Sequence, residues 1–147
     1  MLVALTPACQ APAEETTIES PVAADVVSVR ALSVAGGYRF EVGIRSPDLG
    51  CQQYADWWEV VSLEGELVYR RVLAHSHVAE QPFARRGVPV AVAADTVVWV
   101  RAHLHPTGYG GMAFKGSVEG GFRAEALPAS FAVELAERGP RPPQCAN

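Results

Sequence analysis

From residue 26 onward, hydrophobic and polar residues alternate along the chain with a period of two, which is the pattern of half-buried β-strands. The clearest case is the segment 38–45, in which every second residue is large and apolar: Tyr38, Phe40, Val42 and Ile44. A glycine pair at 36–37 marks a tight turn before it. The pattern therefore predicts a first β-hairpin formed by residues 26–34 and 38–45.

Similar short apolar segments separated by turn residues continue to the end of the chain. Residues 57–62 and 67–74 flank a Glu-Gly turn and predict a second hairpin, residues 81–87 are expected to be irregular, and further strands are predicted around 88–92, 96–104 and 112–118. Seven or more short strands predict an all-β, two-sheet sandwich that resembles immunoglobulin and fibronectin type III domains in architecture. The cysteine spacing of antibody domains is absent, so the likeness is limited to architecture.

The segment 128–138 fits two interpretations. Phe131, Val133 and Leu135 alternate as a strand would, whereas Pro128 and Gly139 would suit the two ends of a short helix. We favour a strand, because it would complete a sheet.

Composition limits the function classes. The chain has 147 residues, of which 49% are hydrophobic and 19% charged, so residues 26–138 are long enough to form one globular domain. The net charge of −4 and the single lysine, Lys115, argue against nucleic-acid binding, which needs concentrated basic residues. No apolar run approaches the roughly 18 residues that span a bilayer. Membrane contact is therefore expected only through a lipid anchor.

The N-terminal segment, residues 1–25, resembles the end of a lipoprotein signal followed by a tether. An apolar stretch and small residues lead to Cys9, and a segment rich in Pro, Ala, Glu and Thr follows. This predicts acylation of Cys9 and a location in the cell envelope or outside the cell. The match departs from the pattern in two ways, because Leu5 lies four rather than three positions before the cysteine and a basic leader is missing. The alternative is an ordinary N-terminal tail with a chance cysteine.

Three cysteines are present. If Cys9 carries a lipid, Cys51 and Cys145 remain and can form one disulfide. Such a bridge would pin the proline-rich C-terminal tail, residues 139–147, to the domain and would contribute up to about 4–5 kcal/mol by restricting the unfolded chain. The alternative is two unrelated thiols.

All four histidines lie in two His-x-His pairs, His75 with His77 and His103 with His105. Residues two apart on a strand leave the same face with Cα atoms about 6.5–7 Å apart, so both imidazoles can reach one metal ion. Glu80 lies three residues beyond the first pair and is a candidate carboxylate ligand. If both pairs lie at the same end of the sandwich, they predict a Zn²⁺ or Cu²⁺ site. The alternatives are rings that bond to backbone or water, and a pH sensor.

Aromatic and acidic residues give weaker signals. Trp57 and Trp58 are neighbours on one strand and must place one ring on each face. We expect Trp57 to form, with Trp99, a surface platform for a sugar or a protein, unless the rings only cap a sheet edge. Asp56, Glu59 and Glu80 are candidate acid–base carboxylates, although nothing in the sequence places them in a cleft.

The central part of the chain resembles an uncharacterised family of small bacterial proteins. The likeness covers roughly residues 38–118 and is carried by Asp-Trp-Trp-Glu-Val at 56–60 and by the Arg-Val-Leu-Ala-His-Ser-His-Val-Ala-Glu-Gln-Pro-Phe-Ala-Arg run at 71–85. The resemblance implies kinship and a sandwich fold, and no established activity. Its pattern contains His75, His77 and Glu80 but neither His103 nor His105, which favours a structural or ligating role centred on the first pair.

The sequence thus suggests a non-catalytic binding or accessory module of the cell envelope, holding Zn²⁺ or Cu²⁺ through histidine and recognising an unknown protein or small molecule. The first alternative is a metal-dependent enzyme that uses a His/Glu site. A second is a purely structural or adhesion-type spacer domain.

Overall fold

A computed structural model describes residues 10–13 and 22–146. The predicted acylation site, Cys9, lies outside the described residues, as does most of the predicted tether. Eight strands follow one another: β1 (Asp25–Val34), β2 (Gly37–Arg45), β3 (Tyr54–Ser62), β4 (Leu67–Val72), β5 (Phe83–Val90), β6 (Val98–His105), β7 (Met112–Ser117) and β8 (Gly121–Ala126). A 3₁₀ turn, Val133–Glu137, is the last element.

The strands form two antiparallel sheets. The small sheet has the order β1-β2-β5, and the large sheet has the order β4-β3-β6-β7-β8. This confirms the predicted all-β two-sheet sandwich and both predicted hairpins. The segment 81–87 is not irregular throughout, because β5 begins at Phe83 and pairs with β2. In the described part of the chain, no helix is long and apolar enough to cross a membrane.

The main core lies between the two sheets. Phe40, Val42 and Ile44 of β2 face Trp58 and Val60 of β3, and all five side chains are fully buried. Burial of this apolar surface is the main driving force for closing the sandwich, at about 25 cal/mol per Å² removed from water. The small sheet keeps its other face in solvent, which explains its clean alternation in the sequence.

One face of the large sheet packs on the small sheet. The opposite face, which we call the outer face, is also covered. The C-terminal segment, residues 127–146, lies across it. A second hydrophobic cluster forms there, made of Val61, Trp99, Ala113, Ala132 and Leu135. The preferred prediction of a strand over 128–138 is wrong. The carbonyl oxygens of Phe131, Ala132 and Leu135 accept hydrogen bonds from arginine side chains instead of strand partners, so the segment folds as a 3₁₀ turn.

The C-terminal segment is also attached covalently. Cys51 and Cys145 form a disulfide with their Cα atoms 5.6 Å apart, as predicted. Beside it, the amide of Ala146 donates to the carbonyl of Ala74 at 3.0 Å, and His75 and Ala146 form an isolated bridge. The tail is therefore part of the folded structure at least to residue 146.

Candidate functional site

The outer face carries a buried layer of charge. Glu59 of β3 is fully buried between Arg70 of β4 and Arg101 of β6. Arg70 Nε and Arg101 Nε each donate to one carboxylate oxygen of Glu59 at 2.8 Å. Charges this deeply buried persist only when they are paired and hydrogen-bonded.

The two arginines also hold the C-terminal segment. Arg70 donates to the carbonyls of Leu135, Arg138 and Pro140, and Arg101 donates to those of Phe131 and Ala132. The remaining N–H groups of each guanidinium thus donate to backbone carbonyl oxygens that have no strand partner. Glu59 fixes the arginines, and the arginines fix the segment.

Trp57 and Trp99 do not form a surface platform, and that prediction is wrong. They are only 3% and 4% exposed, because the C-terminal segment covers them. Trp57 is stacked between the His103 ring, 3.9 Å away between centroids, and the Arg70 guanidinium, 4.2 Å away. Both faces of this indole are therefore occupied. Trp99 packs against Phe131 and lies beneath the Lys115 ammonium.

His103 is fixed on the outer face by a buried carboxylate. Its Nδ1 lies 2.6 Å from Asp56 Oδ1, in a pair with little exposed surface. The register of β3 against β6 creates this contact, since Trp57 lies opposite His103 and a bulge shifts the residue before it. His103 is therefore buried, whereas His105, two residues further, is exposed and has Tyr54 as its neighbour.

Tyr109, in the loop after β6, closes the other side of this layer. Its ring lies edge-on to His103 and beneath the Arg101 guanidinium, which is 3.6 Å from the ring centroid. Trp57 Nε1 donates to its hydroxyl at 3.4 Å. Burial, followed by the charge of Glu59, raises the pKa of Tyr109 to about 12.

A cleft of about 430 Å³ opens where the outer face meets the C-terminal segment, and we call it the outer cleft. The sheet and the loop after it contribute Tyr54, Asp56, Trp57, His103, His105 and Pro106, while the C-terminal segment contributes Ala136, Glu137, Arg141 and Pro142. Glu137 and Arg141 pair at 3.2 Å across the rim. The second histidine pair therefore faces a cleft, and the carboxylate Asp56 lies in it too.

The first histidine pair lies elsewhere, in the loop between β4 and β5. The His75 and His77 rings are neighbours with centroids 4.4 Å apart. His77 is buried and stacked on Phe83 at 3.9 Å, and neither of its ring nitrogens has a hydrogen-bond partner within the described structure. Burial, and then the nearby charge of Arg85, lowers the pKa of His77. The ring is therefore neutral at pH 7.

This loop is tied down by its own polar groups. Asp48 Oδ2 accepts the amide N–H of His77 at 2.7 Å. The Gln81 side chain accepts from the Ser46 amide at 2.9 Å and donates to the His77 carbonyl at 3.1 Å. Glu80 instead pairs with Arg85 at 3.0 Å, and that hydrogen bond lowers its pKa. The motif in this loop thus has a visible structural role.

The two histidine pairs do not converge. His75 lines a separate cavity of about 550 Å³ with Gly50, Ser76, Val78, Ala79 and Ala146. Within residues 10–13 and 22–146, no three His, Cys, Asp or Glu side chains are grouped closely enough to hold a metal ion as they stand. A site that uses all four imidazoles is therefore not present in this conformation.

The chain is similar in sequence to a curated protein. A Halomicrobium mukohataei protein described as "Putative lipoprotein" is 35% identical over 120 residues, which is 81% of this chain and 54% of that protein. The chain thus spans about half the length of this relative. The chain is a cell-envelope or secreted protein. The likeness and the Cys51–Cys145 disulfide support this location together, since disulfides persist in oxidising compartments. No family model and no solved structure matches the chain.

Sequence reasoning missed the residues that build the outer face. Arg70, Arg101 and Tyr109 were not predicted to contact Glu59, and Glu59 was predicted only as a candidate acid–base carboxylate. One signal was available, because β3 and β6 are apolar on both faces around Trp57, Val61 and Trp99. Strands that are apolar on both faces are covered on both faces. Charges within them are therefore expected to be buried and paired.

Proposed function

We propose that this envelope protein is a non-catalytic binding module whose ligand site is the outer cleft, and that the cleft binds a transition-metal ion, Zn²⁺ or Cu²⁺, through His103 and His105. The observation that carries the proposal is the buried Asp56–His103 hydrogen bond of 2.6 Å.

An ionised carboxylate can only accept hydrogen bonds, so Asp56 requires a proton on Nδ1 of His103. The lone pair of a neutral His103 then lies on Nε2. A histidine that ligates a metal usually donates its other ring nitrogen to a carboxylate, which fixes the ring and raises the basicity of the ligating nitrogen. Asp56 and Trp57 give His103 both the tautomer and the rigid ring that a ligand needs.

His105 and the rim of the cleft supply the remaining donors. His105 is two residues further along β6, lines the same cleft and is exposed. Glu137 also lines it, and its side chain is 86% exposed and held by Arg141 alone among the described residues. A rotation of Glu137 therefore disrupts little, and its carboxylate with water completes the coordination of a cation. Imidazole with carboxylate suits Zn²⁺ and Cu²⁺.

The loop that holds His75, His77 and Glu80 is less suited to a metal. The His77 ring is stacked on Phe83, and Glu80 is paired with Arg85. Burial, and then the charge of Arg85, lower the pKa of His77, and the Arg85 charge would repel a dication at that ring. Residues 75–80 are therefore proposed to be structural.

Binding is favoured over catalysis because of what Asp56 does. A metal-dependent hydrolase needs a free acid or base beside the ion. Asp56 is the buried carboxylate in the cleft, and its Oδ1 is already engaged by His103. The proposal is therefore a binding site without a general base.

The test is metal binding by the full chain prepared without a histidine tag. Elemental analysis after dialysis gives the stoichiometry, and calorimetric titration with Zn²⁺ and Cu²⁺ gives the affinity. We expect one ion per chain, which is lost in His103→Ala and in His105→Ala. Asp56→Asn should keep the stoichiometry and weaken binding by about 10- to 100-fold, since it acts through His103.

His75→Ala is the matched control, because it removes an exposed imidazole from the other pair. It should leave both stoichiometry and affinity unchanged. Loss of the ion in His75→Ala with retention in His103→Ala would refute the proposal and move the site to the loop. Absence of bound metal in the unmodified chain would also refute it, leaving a spacer or a module for another ligand.

A further inference from the structure

The solvent-facing side of the small sheet carries four arginines, and we call it the arginine face: Arg30 of β1, Arg39 and Arg45 of β2, and Arg86 of β5. The strand register places them together. Arg30 and Arg86 both lie opposite Glu41, and the alternate residues of β2 face the core. Because residues two apart share one side of a strand, the four guanidinium groups emerge on one side of the sheet.

This face is strongly basic on an acidic protein. Glu41 pairs with both Arg30 and Arg86, and the hydrogen bond from Arg86 lowers its pKa. Arg39 and Arg45 have no carboxylate partner among the described residues. Asp25 lies opposite Arg45 in the ladder, but its Oδ1 accepts the Met112 amide at 2.7 Å. Four arginines thus lie beside two acids, Glu41 and Asp25, which leaves the face basic in a chain of net charge −4.

Three of the four arginines are well exposed, and Arg39 is half-buried. The Arg30 and Arg86 side chains are 67% and 62% exposed, and Arg45 is exposed as well. None of them covers the core, unlike Arg70 and Arg101 on the opposite side of the molecule. A sheet surface on which solvated arginines outnumber the acids beside them suits an anionic partner surface.

We propose that the arginine face binds the anionic phospholipid headgroups of a bilayer. The envelope location supplies such a surface, and guanidinium groups bind phosphate oxygens in a bidentate geometry. The face includes β1, the first strand after the predicted tether. In a chain anchored through that tether, the arginine face would contact the membrane and the outer cleft would face away from it. The inference does not depend on metal binding.

Vesicle co-sedimentation of the full, unacylated chain tests the proposal. The vesicles contain equal parts of phosphatidylglycerol and phosphatidylcholine, and vesicles of phosphatidylcholine alone are the reference. At ~20 mM salt the chain should bind only the anionic vesicles, and at ~300 mM salt binding should be lost by screening. Arg39→Glu with Arg45→Glu should weaken binding about thirtyfold, equivalent to about 2 kcal/mol.

The matched control is Arg123→Glu with Arg138→Glu, which changes the net charge equally on other surfaces. It should bind as tightly as the unmodified chain, and thermal melts should show that both double variants remain folded. An equal loss in the control would assign the attraction to net charge and overturn the proposal. Failure of the unmodified chain to bind anionic vesicles at ~20 mM salt would overturn it as well.

Discussion

Replacing Glu59 with glutamine tests whether the buried charge layer holds the C-terminal segment on the outer face. The substitution keeps the size of the side chain and removes its charge. It leaves Arg70 and Arg101 as two buried cations, with side chains 0% and 1% exposed. Both lose their carboxylate partner, and their mutual repulsion is no longer neutralised.

The expected cost follows from the burial and from the remaining acceptors. Breaking a buried ion pair by removing one partner costs about 3–5 kcal/mol, because the other charge stays buried. Two arginines are affected, which raises the cost, but their bonds to five backbone carbonyls still solvate them in part. We therefore expect a loss near the upper end, about 5 kcal/mol. A domain of this size has only about 5–15 kcal/mol in total.

Urea denaturation of the unmodified chain and of Glu59→Gln measures this loss. The matched control is Glu41→Gln, since Glu41 also lies between two arginines but on the exposed arginine face. The control should shift the midpoint little, because exposed pairs gain little from their charges. Hydrogen exchange should also show faster exchange in residues 131–138 of Glu59→Gln. A loss below about 1 kcal/mol in Glu59→Gln would refute the argument from burial.

Three further perturbations follow from the structure. Replacing both Cys51 and Cys145 with serine removes a disulfide that joins residues 94 positions apart in the sequence. The free energy of unfolding, measured by urea titration, should fall by about 4 kcal/mol because the unfolded chain is no longer restricted. An unchanged midpoint would contradict this. The pKa of His77 in the fold lies below its ordinary value of 6.5, so stability should fall as the pH drops below about 6.5 and level off below the lowered pKa. His77→Phe keeps a ring on Phe83 and should remove that part of the pH dependence; the same dependence in both proteins would exclude His77 as its source. The pKa of Tyr109 is about 12, so stability should fall as the pH rises from about 10 to about 12, and Tyr109→Phe should remove the latest tyrosinate step in ultraviolet absorbance.

The small sheet could be predicted from its pattern because one of its faces is in water. In β2, Arg39, Glu41 and Arg45 alternate with core residues, and the turn before it contains Gly36, whose φ of 88° favours glycine. In this sheet, only the first part of β5 was not predicted as a strand. Its sequence around Arg85 and Arg86 has weak strand preference, and its pairing with β2 determines its conformation.

The outer face could not be predicted in the same way, since its cover is distant in sequence. The oxygens that bind Arg70 belong to residues near 135–140, and the alternation of Phe131, Val133 and Leu135 in that segment predicted a strand rather than a cover for the sheet. Without that cover, Trp57 and Trp99 would be exposed, as the sequence suggested. Burial of a strand face depends on tertiary contacts, so the local alternation of apolar and polar residues cannot predict it.

The candidate site was predicted in part for the same reason. The spacing of His103 and His105 correctly places them near each other on one strand. The partner that fixes the ring is Asp56, which is brought to His103 by the register of β3 on β6 and by the bulge between Ala55 and Trp57. Register across strands depends on pairing between distant segments, so the histidine spacing by itself could not identify this carboxylate.

The buried charge layer also bears on the outer cleft, because one wall of the cleft lies on the C-terminal segment. Arg70 binds this segment up to the carbonyl of Pro140, and the disulfide fixes it at Cys145. Arg141 and Pro142, which line the cleft, lie between these two anchors. An apolar layer could have covered the sheet at lower electrostatic cost. Arginines that bind carbonyl oxygens, however, position a segment that has no strand partner, and they thereby give the cleft a defined shape opposite His103.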